Sequence, residues 1–186
     1  MATNEIIQDI DAVVGETLLT EKEIQQRVAE LGQQITQDFA GTATSEKPLI
    51  VLGVLKGVLF FLADLMREID VPNEIHFIDI SAAKSSNGHY QDLPNYLEQA
   101  INNRHVLFVE DIVDAGLTLS YVSRILYQGN PESVSVCTLL SKEANRIMDV
   151  DIRYTGFEIE PVYVIGYGLD FKEQFRNLRY IGVLKK

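Results

Sequence analysis

Apolar residues recur at helical spacing in one early stretch of the chain. The repeating positions are Ile24, Val28, Leu31, Ile35 and Phe39. Thr20 and Glu23 stand before the repeat with the spacing of a capping box, in which each side chain satisfies the backbone N–H of the other residue. The pattern predicts an amphipathic helix that begins after Thr20 and ends near Gly41.

Elsewhere the apolar residues form near-continuous runs, which are typical of strands buried on both faces of a parallel sheet. Strands are predicted at 49–55, 74–80, 105–110 and 133–140, with shorter ones at 163–166 and 180–184. Helices are predicted at about 58–69 and 118–128. Because strands and helices alternate, we expect a mainly parallel sheet with helices on both faces.

Two segments give weaker signals. Ile6, Ile7, Ile10 and Val14 suggest a short helix that packs on the domain. The polar, turn-rich stretch SAAKSSNGHYQDLPN at 81–95 predicts a long loop. Loops of this length are often lids or binding loops, but a loop without a function fits the sequence equally well.

Composition and charge narrow the functional classes. With 186 residues, 46% of them hydrophobic and 23% charged, the chain has the size and content of a single globular domain. The net charge of −11 opposes nonspecific binding to nucleic acid or to an anionic membrane. The acidic N-terminus lacks the pattern of a signal peptide, no apolar run reaches transmembrane length, and Cys137 is the chain's single cysteine. We therefore expect a cytoplasmic protein without an internal disulfide.

Ligands of open parallel sheets bind at the carboxyl ends of the strands, so the residues after each predicted strand are candidates for a site. Leu55, Lys56 and Gly57 lie between a strand and a helix, where backbone N–H groups and a lysine can bind an anion. Glycine at such a turn is also common as a packing device. This motif by itself is a weak signal.

A stronger signal follows the strand at 105–110, where the acids Glu110, Asp111 and Asp114 crowd next to Gly116 and Thr118. A helix N-terminus with a glycine offers free N–H groups to a phosphate. Carboxylates can accept hydrogen bonds from sugar hydroxyls or hold Mg²⁺. Alternatively, the acids only cap the helix. Two adjacent acids directly after a buried strand are costly without a partner, which favours a sugar-phosphate site.

Three motifs, in the same order along the chain as in the family, resemble those of phosphoribosyltransferases. Their sequences are most similar to the hypoxanthine-guanine branch. They are VLFVEDIVDAGLTL at 106–119, GVLKGVLFFLADLMREID at 53–70 and VIGYGLDFKEQFRNLRYIGVLK at 164–185. The resemblance extends over most of the chain from Thr20 onward. It implies the α/β type I phosphoribosyltransferase fold, a single domain with a core at about 20–157 and a small hood formed by 1–19 and 158–186.

The resemblance also implies an activity. It is the Mg²⁺-dependent transfer of the phosphoribosyl group from 5-phosphoribosyl 1-diphosphate to N9 of hypoxanthine or guanine, which gives IMP or GMP and diphosphate. The partners would be these substrates and further copies of the chain, in a homodimer or homotetramer. The apolar surface of the segment GVLFFLADLMREI at 57–69 could serve as the interface.

The resemblance also implies a role for each residue of this chain that matches a site position of the family. Glu110 and Asp111 would accept from the ribose hydroxyls, Asp114 would handle the proton at purine N7, and the backbone at 114–118 would bind the 5′-phosphate. The residues implied in binding phosphoribosyl diphosphate or nucleotide are Leu55, Lys56, Gly57, Glu110, Asp111, Ile112, Val113, Asp114, Ala115, Gly116, Leu117 and Thr118. In the family the turn at 55–57 often carries a non-proline cis peptide.

Residues near the C-terminus would complete the site. Lys142 would donate to the 6-oxo group, Tyr163 would stack on the base, Val164 would offer backbone contacts, and Arg176 would neutralise the leaving diphosphate. Asp170 would coordinate Mg²⁺ next to the purine, with Glu110 and Asp111 as further carboxylates at the metal. The catalytic residues would be Asp114, Lys142 and Arg176. Singly, each has an ordinary alternative as a solvated charge or a core aromatic; jointly, in family order, the functional interpretation is favoured.

The chain departs from the family pattern twice. Ala115 stands where the loop usually has a Thr or Ser that donates to the 5′-phosphate, and losing that hydrogen bond weakens binding by about 1.5 to 3 kcal/mol. Ser81-Ala82-Ala83 stands where relatives carry a Ser-Tyr pair, and Tyr90 lies too far along for its role to be assigned. Two functions therefore stay open, a transferase, with xanthine as a further possible base, and a nucleotide-binding regulator with weakened catalysis.

Overall fold

The computed structural model describes residues 10, 12–79 and 95–185. Its strands are β1 (Val14–Leu19), β2 (Leu49–Val54), β3 (Asn73–Ile78), β4 (His105–Val113), β5 (Ser133–Ser141), β6 (Tyr154–Glu158), β7 (Val164–Ile165) and β8 (Ile181–Leu184). Its helices are α1 (Glu21–Phe39), α2 (Leu59–Glu68), α3 (Asn95–Ile101) and α4 (Leu117–Gln128), with a 3-10 helix at Glu143–Asn145.

The main sheet is parallel throughout, with the strand order β3-β2-β4-β5-β6. Strand β2 is buried along its whole length, and its alternate residues point to opposite layers. Leu49 and Val51 pack with the buried face of α1 and α2, whereas Ile50 and Leu52 pack with α3 and α4. The predicted parallel sheet with helices on both faces is confirmed.

Helix α1 begins and ends where the sequence predicts. The Thr20 backbone N–H donates to Glu23 Oε2 at 2.8 Å and the Glu23 N–H donates to Thr20 Oγ1 at 3.3 Å, which completes the capping box. All five repeating apolar residues from Ile24 to Phe39 are buried. The helix is therefore held by its cap and by an apolar stripe against the sheet.

The N- and C-terminal segments meet in a second, antiparallel sheet with the order β1-β8-β7. The predicted N-terminal helix is wrong at Val14, which begins β1 and pairs with Leu184. Pairing with β8 gives this segment backbone partners that the local pattern could not reveal. Ile10 is helical, and Ile6 and Ile7 lie outside the described residues. The division into a core and a hood stays a prediction.

Besides β1 and the 3-10 helix, two elements were not predicted from the sequence, α3 and β6. Helix α3 begins at Asn95, the last residue of the predicted loop, and residues 80–94 lie outside the part of the chain that the structure describes. Strand β6 has only five residues, YTGFE, and its central glycine weakens the strand signal. Gly156 lies so close to the Leu139 carbonyl on β5 that a side chain would not fit, which explains a glycine inside a paired strand. In the described parts of the chain, no helix combines the length and the apolar character that crossing a membrane requires.

Candidate active site

A cavity of about 470 Å³ opens at the carboxyl ends of β2, β4 and β5. It is lined by Val54, Leu55, Lys56, Gly57, Glu110, Asp111, Ile112, Asp114, Thr118, Lys142, Tyr163, Val164, Leu169, Asp170 and Arg176. All three sequence motifs thus contribute to one cavity. Val54 and Leu169 are lining residues that the sequence did not single out.

Four of the predicted substrate-binding residues lie outside this cavity. Ala115, Gly116, Leu117 and Val113 line a smaller cavity of about 240 Å³ at the start of α4, together with Thr118. Both cavities share Glu110, Ile112, Asp114 and Thr118. The residues of the phosphate loop therefore border the main cavity along one side.

The turn at Leu55-Lys56-Gly57 packs closely against the end of β4 and against the C-terminal segment. The Leu55–Lys56 peptide bond is cis. A Cβ on Gly57 would overlap Oδ2 of Asp111, and a Cβ on Gly168, which has φ +102°, would overlap the Gly57 carbonyl oxygen. Glycine is required at both positions, because only the absence of a side chain allows these segments to meet.

Two adjacent carboxyl groups lie deep in the cavity at the end of β4. Glu110 is 6% exposed, and within the described residues its Oε1 has no hydrogen-bond partner. Burial, and to a smaller extent the charge of Asp111, raises the pKa of Glu110 well above its ordinary value. Burial also raises the pKa of Asp111 to about 6, opposed by a hydrogen bond from the Ile112 N–H and by the charge of Arg176. A buried oxygen without a donor fits a ligand hydroxyl.

Asp114 is surrounded by donors. Its Oδ2 accepts from Lys142 Nζ at 3.0 Å and its Oδ1 from Asn145 Nδ2 at 2.8 Å. Burial alone would raise the pKa of Asp114, but these hydrogen bonds and the charges of Lys142 and Arg146 outweigh burial and hold the pKa below its ordinary value. Asp114 is therefore an ionised carboxylate, suited to accept a proton from a ligand.

Helix α4 presents its N-terminus to the smaller cavity. Gly116 stands at the N-cap position with φ +80°, a left-handed conformation that suits glycine, and its carbonyl accepts from the Ser120 N–H at 2.9 Å. The free N–H groups of the first turn form an anion-binding end, to which Thr118 can add a hydroxyl. Ala115 has only a methyl group, so it cannot donate a side-chain hydrogen bond to an anion at this end of the helix.

The C-terminal segment contributes a network of charges. Arg176 donates to the Gly168 carbonyl at 2.8 Å and pairs with Asp170 at 2.9 Å and Glu173 at 3.3 Å. Glu173 also pairs with Lys56 at 3.0 Å, so it joins the cations of two predicted motifs. Hydrogen bonds from Lys56 and then Arg176 lower the pKa of Glu173. Glu173 was not predicted as a site residue, although it lies inside the third motif.

Tyr163 lies at the mouth of the cavity. Its side chain is exposed, its hydroxyl donates to the Asp170 carbonyl at 3.2 Å, and its ring meets Phe171 edge-on at 6.3 Å. An exposed ring that lines a cavity can stack on a flat ligand in an offset arrangement, in which the partly negative faces do not lie directly over each other. The adjacent Val164 is buried in β7 and lines the same cavity.

Three carboxylates, Asp170, Glu110 and Asp111, are the predicted metal ligands. No group of three or more His, Cys, Asp or Glu side chains in the described part of the chain comes together as a metal site. Mg²⁺ does not require such a cage, because it usually keeps several waters and binds through one or two carboxylates and substrate phosphates. Asp170 lies near enough to Asp111 for its charge to raise that residue's pKa. Asp170 and Asp111 together fit this mode of binding.

Comparisons with known proteins agree with the geometry. A family model described as "Phosphoribosyl transferase domain" matches residues 14–172. The chain is 45% identical over 175 residues to the hypoxanthine-guanine phosphoribosyltransferase of Mycobacterium tuberculosis, covering 92% of this chain and 86% of that protein. It is 39% identical over 175 residues to the Bacillus subtilis enzyme of the same name, with coverage of 92% and 94%.

Solved structures are similar over the same length. The Leishmania tarentolae enzyme described as HGPRT-ase in complex with GMP superposes with a TM-score of 0.82, at 35% identity and over 92% of this chain and 97% of that one. The hypoxanthine phosphoribosyltransferase of Trypanosoma cruzi gives a TM-score of 0.83 at 35% identity, with the same coverage of both chains. The similarity thus includes the main sheet and the segments that line the cavity.

Proposed function

Because the chain belongs to the family of the phosphoribosyl transferase domain, we propose that it transfers the phosphoribosyl group of 5-phosphoribosyl 1-diphosphate to N9 of hypoxanthine or guanine. The products are IMP or GMP and diphosphate, so the reaction serves purine salvage, with Mg²⁺ as cofactor and the cytoplasm as its location. One observation carries this proposal: Asp114, ionised and bonded to the buried Lys142, stands where the phosphate loop borders the main cavity.

The phosphoribosyl group fits the end of β4 and the start of α4. The first-turn N–H groups and Thr118 bind the 5′-phosphate, where the partial positive charge of the helix favours an anion. Glu110 and Asp111 accept hydrogen bonds from the ribose hydroxyls. A hydroxyl donor would satisfy Glu110 Oε1, the buried oxygen that has no partner among the described residues.

The purine fits between Lys142, Asp114 and Tyr163. The Lys142 ammonium only donates, so it matches the carbonyl at C6 of a 6-oxopurine and not the exocyclic amine of adenine. Tyr163 stacks on the base, and the backbone at Val164 gives further contacts. Asp114 accepts the N7 proton as N9 attacks the sugar, so that positive charge does not accumulate on the purine ring.

The leaving diphosphate fits the cations of the Lys56 turn and Arg176. Positive groups in place before the reaction stabilise the developing charge, and such electrostatic stabilisation is usually the largest contribution to catalysis. Mg²⁺, when bound, supplies further positive charge to the phosphate oxygens, and Asp170 with Asp111 and Glu110 would hold it. Glu173 keeps Lys56 and Arg176 near one another.

Exposed apolar side chains support self-association. Leu59 and Phe60 on α2 are 49% and 40% exposed, and Ile75 and Phe77 on the edge strand β3 are 48% and 38% exposed. Burying such side chains between copies removes apolar surface from water. We expect light scattering at micromolar concentration to give the mass of a homodimer or homotetramer. A monomeric mass would contradict this expectation.

A second function is favoured by the departures from the family pattern. A regulator that binds nucleotide without efficient turnover would keep the cavity and tolerate Ala115. A transferase that prefers xanthine is a third candidate, since xanthine also carries a 6-oxo group.

The proposed function is tested by a steady-state assay. Purified protein, phosphoribosyl diphosphate and Mg²⁺ are incubated with hypoxanthine, guanine, xanthine or adenine, and the nucleotide formed is quantified, with EDTA as the metal control. We expect IMP and GMP to form only with Mg²⁺ and adenine to be inert. Xanthine as the best base would support the third candidate. Nucleotide binding without turnover of any base would support the regulator.

Ala115→Thr is expected to tighten the binding of phosphoribosyl diphosphate by about tenfold. The new hydroxyl adds a hydrogen bond to a charged phosphate, and because the loop is partly open to water we expect the lower end of the range for such bonds. Calorimetric titration of both proteins measures the change. Ala40→Thr, at an exposed position after α1, is the matched control. Equal Kd values for Ala115→Thr and the parent would show that the missing hydroxyl is unimportant.

A further inference from the structure

The two oxygens of the Asp114 carboxylate accept hydrogen bonds from two donors in the same stretch of chain. Lys142 Nζ lies 3.0 Å from Oδ2 and Asn145 Nδ2 lies 2.8 Å from Oδ1. A carboxylate can only accept, so the NH₂ side of the Asn145 amide must face Asp114. The Asp114 side chain is 47% exposed, and a single donor would leave its terminal torsion free to turn. Two donors fix the plane of the carboxylate.

Asn145 is itself held in place by the backbone around it. Its N–H donates to the Lys142 carbonyl at 3.1 Å inside the 3-10 helix. Directly afterwards, the N–H groups of Ile147 and Met148 both donate to the Ala115 carbonyl at 3.1 Å. The segment 143–148 therefore contacts the phosphate loop at two successive residues, once through a side chain and once through the backbone. These backbone hydrogen bonds hold the Asn145 amide next to Asp114 in the phosphate loop.

We propose that Asn145 is a positioning residue that orients the Asp114 carboxylate for proton transfer from purine N7. This role rests on the proposed function. In the step, the N7–H bond breaks and its proton goes to a carboxylate oxygen of Asp114. The ring electrons thereby released form the bond from N9 to the anomeric carbon, and the C–O bond to the diphosphate breaks with its electron pair on the leaving oxygen. A carboxylate that is turned away from N7 would delay this transfer without affecting phosphate binding.

The electrostatic surroundings of Asp114 set the pH dependence. The charges of Lys142 and Arg146, which follow β5, act on Asp114. The other charged groups that line the same cavity are Glu110 and Asp111 on β4, Lys56 at the β2 turn, and Asp170 and Arg176 in the C-terminal segment. The hydrogen bond from Asn145 helps to keep the pKa of Asp114 low. When that bond is lost the pKa rises, so the protonated, inactive form persists to higher pH.

The test compares Asn145→Ala and Asn145→Asp with the parent protein, with Glu143→Gln on the same 3-10 helix as control. We expect kcat to fall about tenfold in Asn145→Ala and further in Asn145→Asp, whose carboxylate repels Asp114, with the KM for phosphoribosyl diphosphate within about twofold. The acid limb of the kcat profile should move to higher pH in the same order. Glu143→Gln should match the parent.

An NMR titration of the Asp114 carboxyl carbon separates this inference from the proposed function. It reports the pKa of Asp114 whether or not the protein turns over a base. A higher pKa in Asn145→Ala supports the positioning role, even if the parent is inactive. An unchanged pKa, an unchanged kcat, or a loss confined to the KM for phosphoribosyl diphosphate would overturn it.

Discussion

Replacing Asp114 with Asn is expected to lower kcat by about 10²- to 10⁴-fold, the usual contribution of a positioned acid or base. The KM for phosphoribosyl diphosphate should stay within about threefold. The amide retains an oxygen that can accept from Lys142, so the buried ammonium keeps a partner and the cavity keeps its shape. The amide cannot take a proton from N7 at neutral pH. Steady-state kinetics with both substrates varied measures the change in kcat and the change in the KM for phosphoribosyl diphosphate separately.

Asp149→Asn provides the matched control, because Asp149 is an exposed acid beyond the segment that contacts the loop. Asp149→Asn should have the same kcat and the same KM for phosphoribosyl diphosphate as the parent. If Asp114→Asn raised the KM for phosphoribosyl diphosphate as much as it lowered kcat, Asp114 would be a substrate ligand and its role in proton transfer would be refuted.

Gly57→Ala is expected to reduce kcat/KM by about 100-fold or more. The added methyl would overlap Oδ2 of Asp111, while the Gly57 carbonyl is fixed on its other side by the close approach of Gly168. The turn and the carboxylate must therefore move apart. A displacement of about 1 Å among binding groups is enough to lower the rate about 100-fold. Initial rates at low substrate concentration measure the loss, and thermal unfolding shows whether the fold persists.

Gly41→Ala is the control for this substitution. Apart from its two chain neighbours, no atom of the described residues lies within 4 Å of the position that a Cβ would occupy at Gly41, so we expect its rates and its midpoint of unfolding to match the parent. If Gly57→Ala were as active as Gly41→Ala, the close packing of the turn on Asp111 would have no functional importance.

The sequence predicted strands β2 to β5 of the main sheet and the helices α1, α2 and α4, because their signals are local. Continuous apolar runs identify strands buried on both faces, and the capping box and apolar stripe identify α1. The prediction failed at Val14, whose conformation depends on pairing with β8 at the far end of the chain. Strand β6 was missed because it is short and contains a glycine, and because its position at the edge of the sheet depends on pairing with β5.

The candidate site could be predicted in outline for a physical reason. Parallel strands bring their carboxyl ends to one edge of the sheet, so the polar residues after 55, 110 and 140 were expected to meet, and Lys56, Asp114 and Lys142 line one cavity. Asn145 and Glu173 could not be predicted in this way. Both are exposed polar residues whose contacts arise only when distant segments fold together. The individual roles of the site residues stay predictions.

We propose that the cavity at the carboxyl ends of β2, β4 and β5 binds phosphoribosyl diphosphate and transfers its phosphoribosyl group to a 6-oxopurine. The most direct measurement is a single-turnover reaction, with the protein in excess over labelled phosphoribosyl diphosphate in the presence of hypoxanthine and Mg²⁺. We predict that all bound label is converted to IMP, with an equal amount of diphosphate released. Recovery of intact phosphoribosyl diphosphate from a saturated protein would contradict the account.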